Sequence, residues 1–134
     1  MRRDHGQALL ELALCAPVAL LLTLGTLASV QVASARAGLD AATQAAAEAA
    51  ARAPSAGAAS TVAEVRFREV IADYPVRSAT LVVSVGDFDR KGNVAASSSA
   101  SVDLAWAAFL LLPSQLPLHS EVRLRLESWR SHIA

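Results

Sequence analysis

The chain has 134 residues, of which 54% are hydrophobic, but 30 residues are alanine and only 4% are aromatic. A chain of this length forms one globular domain at most. Twelve basic and twelve acidic residues give a net charge of zero, which excludes a basic nucleic-acid-binding protein held by counterion release. The single cysteine excludes an intramolecular disulfide and any site built on a cysteine pair.

The first element is a long apolar segment, Leu12 to Ala35, that carries no formal charge. As a helix it would be ~36 Å long, at ~1.5 Å per residue, whereas the hydrocarbon core of a bilayer is about 30 Å thick. We therefore predict a transmembrane helix over residues 7–35, because so small a chain could hardly cover a core helix of this kind. Arg2 and Arg3 precede the span, which places the N-terminus in the cytoplasm.

A secretory signal peptide is the competing interpretation of this segment. Ala33-Ser34-Ala35 fits the small-residue pattern of a cleavage site, and cleavage there would release a soluble domain that begins at Arg36. The apolar stretch is longer than the 7–15 residues usual for such peptides. An anchored helix is therefore the favoured interpretation.

A carboxylate, Glu11, stands at the start of the span, five residues after Gly6. An ionisable group costs on the order of 2.5–3.5 kcal/mol at the centre of a membrane helix, so it calls for a partner unless it stays among the headgroups. If the chain is cut after Gly6, the new α-amino group of Gln7 would supply that partner. It would pair with Glu11 of a neighbouring, axially staggered subunit and set the register between the two helices.

The segment GQALLELALCAPVALLLTLG resembles the N-terminal segment of TadE-like proteins, which are pseudopilins of the tight-adherence (Tad, or Flp) pilus system. The residues that carry this resemblance are Gly6, Glu11, Ala13, Pro17, the leucine-rich run 20–24 and Gly25. The C-terminal segments VDLAW, FLLLPSQLPL and EVRLRLE are also similar to the strand, loop and last strand of many such proteins.

The resemblance implies a structural subunit, and it implies that residues 1–6 are a leader removed by a prepilin peptidase between Gly6 and Gln7. Glu11 would then be the assembly carboxylate. The implied partners are the peptidase, other pseudopilins, the major Flp pilin and the inner-membrane assembly platform, in a hetero-oligomer at the bacterial inner membrane. The alternative is a single-pass anchored extracytoplasmic domain that binds a partner and never assembles into a pilus.

Two residues predict a kink or loosening of the membrane helix. Pro17 removes one backbone hydrogen bond of the helix. Gly25 would help a long helix to bend as it enters a bundle.

Beyond the span, residues 36–53 are rich in alanine, the strongest helix former, and predict an outward extension of the same helix. Pro54 and Gly57 are expected to end this extension. A small α+β domain is predicted over residues 54–134.

A second, shorter helix is predicted where Thr61 and Glu64 show the spacing of a capping box, with Pro75 as its end. Its expected apolar side consists of Val62, Val65, Phe67, Val70, Ile71 and Tyr74.

Three strands of an antiparallel sheet are predicted from alternating apolar residues. They contain Leu81, Val83 and Val85, then Val102, Leu104 and Trp106, and finally Val122, Leu124 and Leu126. A hairpin turn is expected over residues 87–93 and a proline-containing loop over residues 107–119. The overall fold class is therefore α+β, with a pilin-like helix that extends into a short helix and a sheet.

No catalytic, metal or cofactor site is predicted. Asp87 and Asp89 imitate the start of a calcium-binding loop, but Lys91 and Ser98 stand where ligands are needed. The serine run 97–99 has no adjacent base and no nucleophile-elbow glycines. We therefore expect a protein that is not an enzyme.

Overall fold

The computed structural model describes residues 2–86 and 92–126. It has a long helix, a short helix and a three-stranded antiparallel sheet, which confirms the α+β class. The elements are α1 (Arg2–Arg52), α2 (Ala56–Ile71), β1 (Arg77–Val85), β2 (Asn93–Asp103), a 3-10 helix (Ala105–Leu110) and β3 (Gln115–Arg125).

Helix α1 has 51 residues and is about 77 Å long. Residues 3–23 are exposed throughout, and the first buried residue along the helix is Ala28. From there on, α1 packs against the rest of the chain with residues spaced by three, four or seven positions, which places them on one helical face. This buried face consists of Ala28, Ala35, Gly38, Leu39, Ala42, Thr43, Ala46, Ala47 and Ala50.

Helix α2 begins earlier than the sequence predicted. Its N-cap is Ser55, whose side chain accepts a hydrogen bond from the backbone N–H of Ala58 at 3.2 Å. The predicted capping box at Thr61 is therefore wrong, because Thr61 lies inside the helix, as does Gly57. Ser55 caps α2 without a glutamate three residues later. The capping-box pattern at Thr61 therefore does not determine where α2 begins.

The buried side of α2 also differs from the prediction. Ala59, Ala63, Phe67 and Ile71 are buried at successive i,i+4 positions. Val62 and Val65, which were expected on the apolar side, are exposed. Because α2 lies close against α1, its contact face favours small alanine side chains over valine.

The sheet has the order β1-β2-β3, so β2 is its central strand. The strand predicted around Leu81 is confirmed as β1. The strand predicted over residues 101–106 is wrong in position, since β2 ends at Asp103 and Trp106 lies in the 3-10 helix. Its alternating valine, leucine and tryptophan imitate a strand, whereas the true strand contains the serine run 97–99. Most of the predicted hairpin turn, residues 87–91, lies outside the described residues.

Strand β3 confirms the predicted alternation at its C-terminal end. Val122 and Leu124 are half-buried, while Glu121, Arg123 and Arg125 are exposed. The loop predicted to reach His119 is wrong, because β3 begins at Gln115 and includes Pro117. Proline fits here because β3 is an edge strand with one unpaired side.

The core lies between the inner face of the sheet and the two helices. Its largest fully buried side chains are Phe67, Leu39, Val94 and Val102. The opposite face of β2 carries Ala95, Ser97, Ser99 and Ser101, which are half-buried or exposed. The packed part of α1 and the C-terminal elements therefore share one core.

Candidate functional site

The predicted processing and assembly residues lie together in the first turns of α1. Gly6, Gln7 and Glu11 are all helical and exposed. A side chain built at Gly6 would meet nothing within 4 Å. Gln7 and Glu11 are four residues apart, so they lie on the same helical face with a rise of about 6 Å between them.

The side chain of Glu11 has no hydrogen bond or ion pair to any other residue of the part of the chain that the structure describes. The apolar side chains beside it, including Leu10 and Leu12, are exposed by more than 60%. Any partner for the Glu11 carboxylate in a membrane must then come from the headgroups, from a cleaved α-amino group or from another chain. The role of Glu11 in assembly stays a prediction.

Three hydroxyl side chains within the apolar segment form hydrogen bonds inside the helix. The hydroxyls of Thr23, Thr26 and Ser29 donate to the backbone carbonyls four residues earlier, at 2.8, 2.8 and 2.9 Å. Such back-bonding leaves no unsatisfied donor to face hydrocarbon. Sequence reasoning overlooked this feature, although threonine and serine inside a leucine-rich helix are its usual source.

Among the described residues, α1 is the one helix that is long and apolar enough to cross a membrane, as judged by its length and composition. Its most apolar stretch is wholly exposed, in contrast to the core helix of a soluble protein. This arrangement is compatible with a single-pass membrane anchor.

The two predicted kink residues lie in unbroken helix. α1 is helical on both sides of Pro17 and of Gly25, and the kink itself stays a prediction. Gly25 has a further location that the sequence did not indicate. Together with Ala28 and Val32 it lines a cavity of about 610 Å³ that opens between α1 and the segment after β2.

That segment, residues 104–113, is called the apolar loop below, and it contains the 3-10 helix. It is held to α1 through Gln31, whose amide nitrogen donates to the backbone carbonyl of Asp103 at 3.2 Å. The indole Nε1–H of Trp106 donates to Gln31 Oε1 at 3.1 Å. Sequence reasoning missed this junction, because nothing local connects positions that are 75 residues apart.

No group of three or more histidine, cysteine, aspartate or glutamate residues that could hold a metal ion is present among the described residues. Cys15 is a free, exposed thiol on the apolar part of α1. The calcium-like positions Asp87 and Asp89 lie outside the described residues.

Comparison with known proteins gives one family. The model of a family described as TadE-like protein matches residues 6–52, which is almost the whole of α1. Neither the curated proteins nor the solved structures gave a match. The C-terminal part of the resemblance lies outside the matched residues. Over Gly6 to Arg52, however, the match confirms the resemblance to TadE-like proteins and supports a part in Tad pilus assembly.

Proposed function

We propose that this protein is a minor pseudopilin-type structural subunit for assembly of a Tad (Flp) pilus or a related secretion filament. The observation that carries the proposal is the family match over α1, together with the complete exposure of the apolar half of that helix. A helix with all faces free over residues 3–23 has its whole surface available to lipid and to neighbouring helices.

Cleavage between Gly6 and Gln7 gives Glu11 a partner. The new α-amino group would lie at the level of residue 7, one turn below Glu11 on the same helix. A neighbouring α1 shifted along the axis by about 6 Å would bring its own amine level with Glu11. In a low-dielectric setting this charged pair strengthens, so it would fix the stagger of the two helices.

A membrane-spanning α1 also determines on which side of the membrane each part of the chain lies. Arg2 and Arg3 stay on the cytoplasmic side of the bacterial inner membrane, and the core around Phe67 lies on the extracytoplasmic side. The protein would be cut by a prepilin peptidase and would associate with other pseudopilins, the major Flp pilin and the inner-membrane assembly platform. We infer a non-catalytic role within this hetero-oligomer.

The processing step is tested by mass spectrometry of the N-terminus of the protein isolated from membranes of its host. The wild type is expected to begin at Gln7. Gly6→Leu is expected to remain uncut, because it replaces the glycine after which the resemblance places the cut. The control is Gly25→Ala, a second glycine of α1 with nothing within 4 Å of an added Cβ, and it should be cut normally. Since Gly6 also has open space around it, lost cleavage in Gly6→Leu would not reflect misfolding.

The assembly role is tested with Glu11→Gln, which keeps the shape of the side chain but removes its charge. We expect loss of pilus assembly and of co-purification with other pseudopilins, and partial recovery with Glu11→Asp. Asp40→Asn is the matched control, because Asp40 is a second exposed carboxylate on α1. Unchanged assembly in Glu11→Gln would show that the carboxylate has no such role.

The alternative, an anchored domain that never assembles, predicts a different pattern. Its N-terminus would remain at Met1 in cells with an active prepilin peptidase, while the protein stayed in the membrane. Release as a soluble protein that begins at Arg36 would instead indicate a signal peptide. In the structure Ala35 is fully buried against the core, so such a cut would break α1 inside its packed part.

A further inference from the structure

We propose that the apolar loop enters the outer leaflet of the same bilayer that α1 crosses, and so forms a second membrane contact that holds the folded domain against the membrane surface. The inference rests on the proposed membrane placement of α1, and it does not depend on cleavage or on pilus assembly. Three observations support it: the composition of the loop, the exposure of its apolar side chains, and the position along the α1 axis at which the loop contacts that helix.

The apolar loop and the start of β3 are free of formal charge from Leu104 to Leu118. Large apolar side chains are nevertheless turned outward there. Leu111 is 95% exposed, Phe109 54%, Trp106 40% and Leu112 39%. A cluster of this kind on a folded domain marks a contact surface rather than ordinary scatter.

The position of the loop along α1 matches the expected edge of the hydrocarbon core. Twenty helical residues span about 30 Å, and counting from Leu12, just after Glu11, ends at Gln31. Gln31 is the residue to which the Trp106 indole donates. Tryptophan favours this boundary, because its ring sits among the headgroups with its N–H hydrogen-bonded.

The loop also lines a cavity whose α1 wall extends below that boundary. Leu110 and Leu112 line the 610 Å³ cavity together with Gly25 and Ala28 of α1. Gly25 lies six residues before Gln31, which is about 9 Å deeper along the helix. Interfacial segments enter the membrane by about 5–10 Å, and the part of the cavity wall below Gln31 has a depth in this range.

Charged groups appear on the other side of the same boundary. Arg36, which lines the outer end of the cavity, lies about 8 Å beyond Gln31 along α1. Arg77 pairs with Asp103 at 3.6 Å, beside the Gln31 junction. Polarity therefore changes at the level of Gln31 on both α1 and the domain. The loop surface continues the lipid-facing surface of α1, and this continuity identifies the bilayer as its occupant.

The test uses the full chain in a Cys15→Ala background, labelled with the environment-sensitive dye NBD at single cysteines. Leu111→Cys reports on the loop, and its 95% exposure keeps the dye out of the core. Leu22→Cys, at an exposed position of the apolar half of α1, reports on the span. Ser84→Cys, exposed on the outer face of β1, is the control in water. Circular dichroism verifies that each variant is folded.

Each protein is reconstituted into vesicles of phosphatidylcholine and phosphatidylglycerol, with and without acyl-chain brominated phosphatidylcholine. We expect blue-shifted emission and quenching by the brominated lipid at positions 111 and 22, and neither effect at position 84. Quenching at 22 but water-like emission at 111 would overturn the loop proposal and leave the membrane span intact. Absence of quenching at both positions would overturn the loop proposal and the membrane placement together.

A second copy of the chain is the other occupant that this experiment detects. In that case the dye at position 111 would be blue-shifted without quenching by brominated lipid, and the shift would fade as the protein-to-lipid ratio falls. That outcome would overturn lipid insertion in favour of a contact between subunits.

Discussion

Replacing Gly38 with alanine is expected to destabilise the folded domain, although alanine is the better helix former. A Cβ at position 38 would overlap Cγ and Cδ1 of the Tyr74 ring and would lie 2.7 Å from its Cβ. Ordinary contacts are 3.4–4 Å, and the Tyr74 Cβ is fixed to the backbone. Overpacking of a core costs about 1–3 kcal/mol, and the tight overlap favours the upper end of that range. Alanine returns about 1 kcal/mol through helix propensity, so the expected net loss is about 2 kcal/mol.

Tyr74 cannot move away freely, because the turn after α2 holds its backbone. Its N–H donates to the carbonyl of Ile71 at 3.1 Å, and its own carbonyl accepts from Val76 at 2.9 Å. The assay is amide hydrogen exchange of the β2 peptide in the full chain, held in detergent micelles. A loss of about 2 kcal/mol raises the exchange rate of the globally protected amides about 30-fold.

Two further variants decide whether the contact with Tyr74 is the cause. Gly57→Ala places the same methyl group on α2, where nothing lies within 4 Å, and is expected to stabilise by about 0.5–1 kcal/mol. In a Tyr74→Ala background the cost of Gly38→Ala should become much smaller. The reasoning is refuted if Gly38→Ala slows exchange, or if its cost is the same with and without the Tyr74 ring.

The same exchange assay checks two predictions about the core. Thr43 and Ser98 are buried with their hydroxyls 2.5 Å apart, and Thr43 donates its proton to the Leu39 carbonyl at 2.6 Å, so Ser98 must be the donor between them. Thr43→Val is therefore expected to cost about 1–3 kcal/mol, because it leaves the buried Ser98 hydroxyl without its acceptor. Adding Ser98→Ala should recover part of that loss, and a double variant no more stable than Thr43→Val alone would contradict this. Phe67→Ala should cost about 3–5 kcal/mol, whereas Val65→Ala, at a position 63% exposed, should change stability by less than about 0.5 kcal/mol. Similar losses at both positions would show that the buried face of α2 is assigned wrongly.

Local patterns predicted the parts of the fold that depend on local physics. The long charge-free segment predicts α1, because its composition alone meets the length and polarity demands of a membrane helix. The alternation around Leu124 predicts the end of β3, because one face of the sheet packs against the core and the other faces water. In both cases the pattern lies within one continuous segment of the chain.

Strand β2 could not be predicted in the same way. Serine and alanine have little preference for strands, and residues 95–101 contain only these two types. The strand forms because it pairs with β1 on one side and β3 on the other, and because small inward side chains let α1 approach it. Ser98 is the clearest case, since its burial depends on Thr43, which is 55 positions away.

The candidate site shows the same division between local and distant information. Gly6, Gln7 and Glu11 were found through local spacing, and the structure places them on one exposed stretch of α1. Gln31 was not found, because its importance comes from Trp106 and Asp103 on a distant segment. A lone glutamine at the end of an apolar helix gave no indication of this junction.

The two halves of α1 are apolar for different physical reasons, and hydropathy alone does not separate them. The first half is rich in leucine, and its large side chains are exposed on every side, as contact with lipid requires. The second half is rich in alanine, which lets α2 and β2 come close to its backbone. At Gly38 the Tyr74 ring lies so close to the backbone that there is no space even for a Cβ. Leucine at these buried positions would preserve hydropathy but would hold the partner elements away. The change from leucine to alanine near Ala28 therefore marks the point where α1 exchanges its lipid-compatible surface for a protein core.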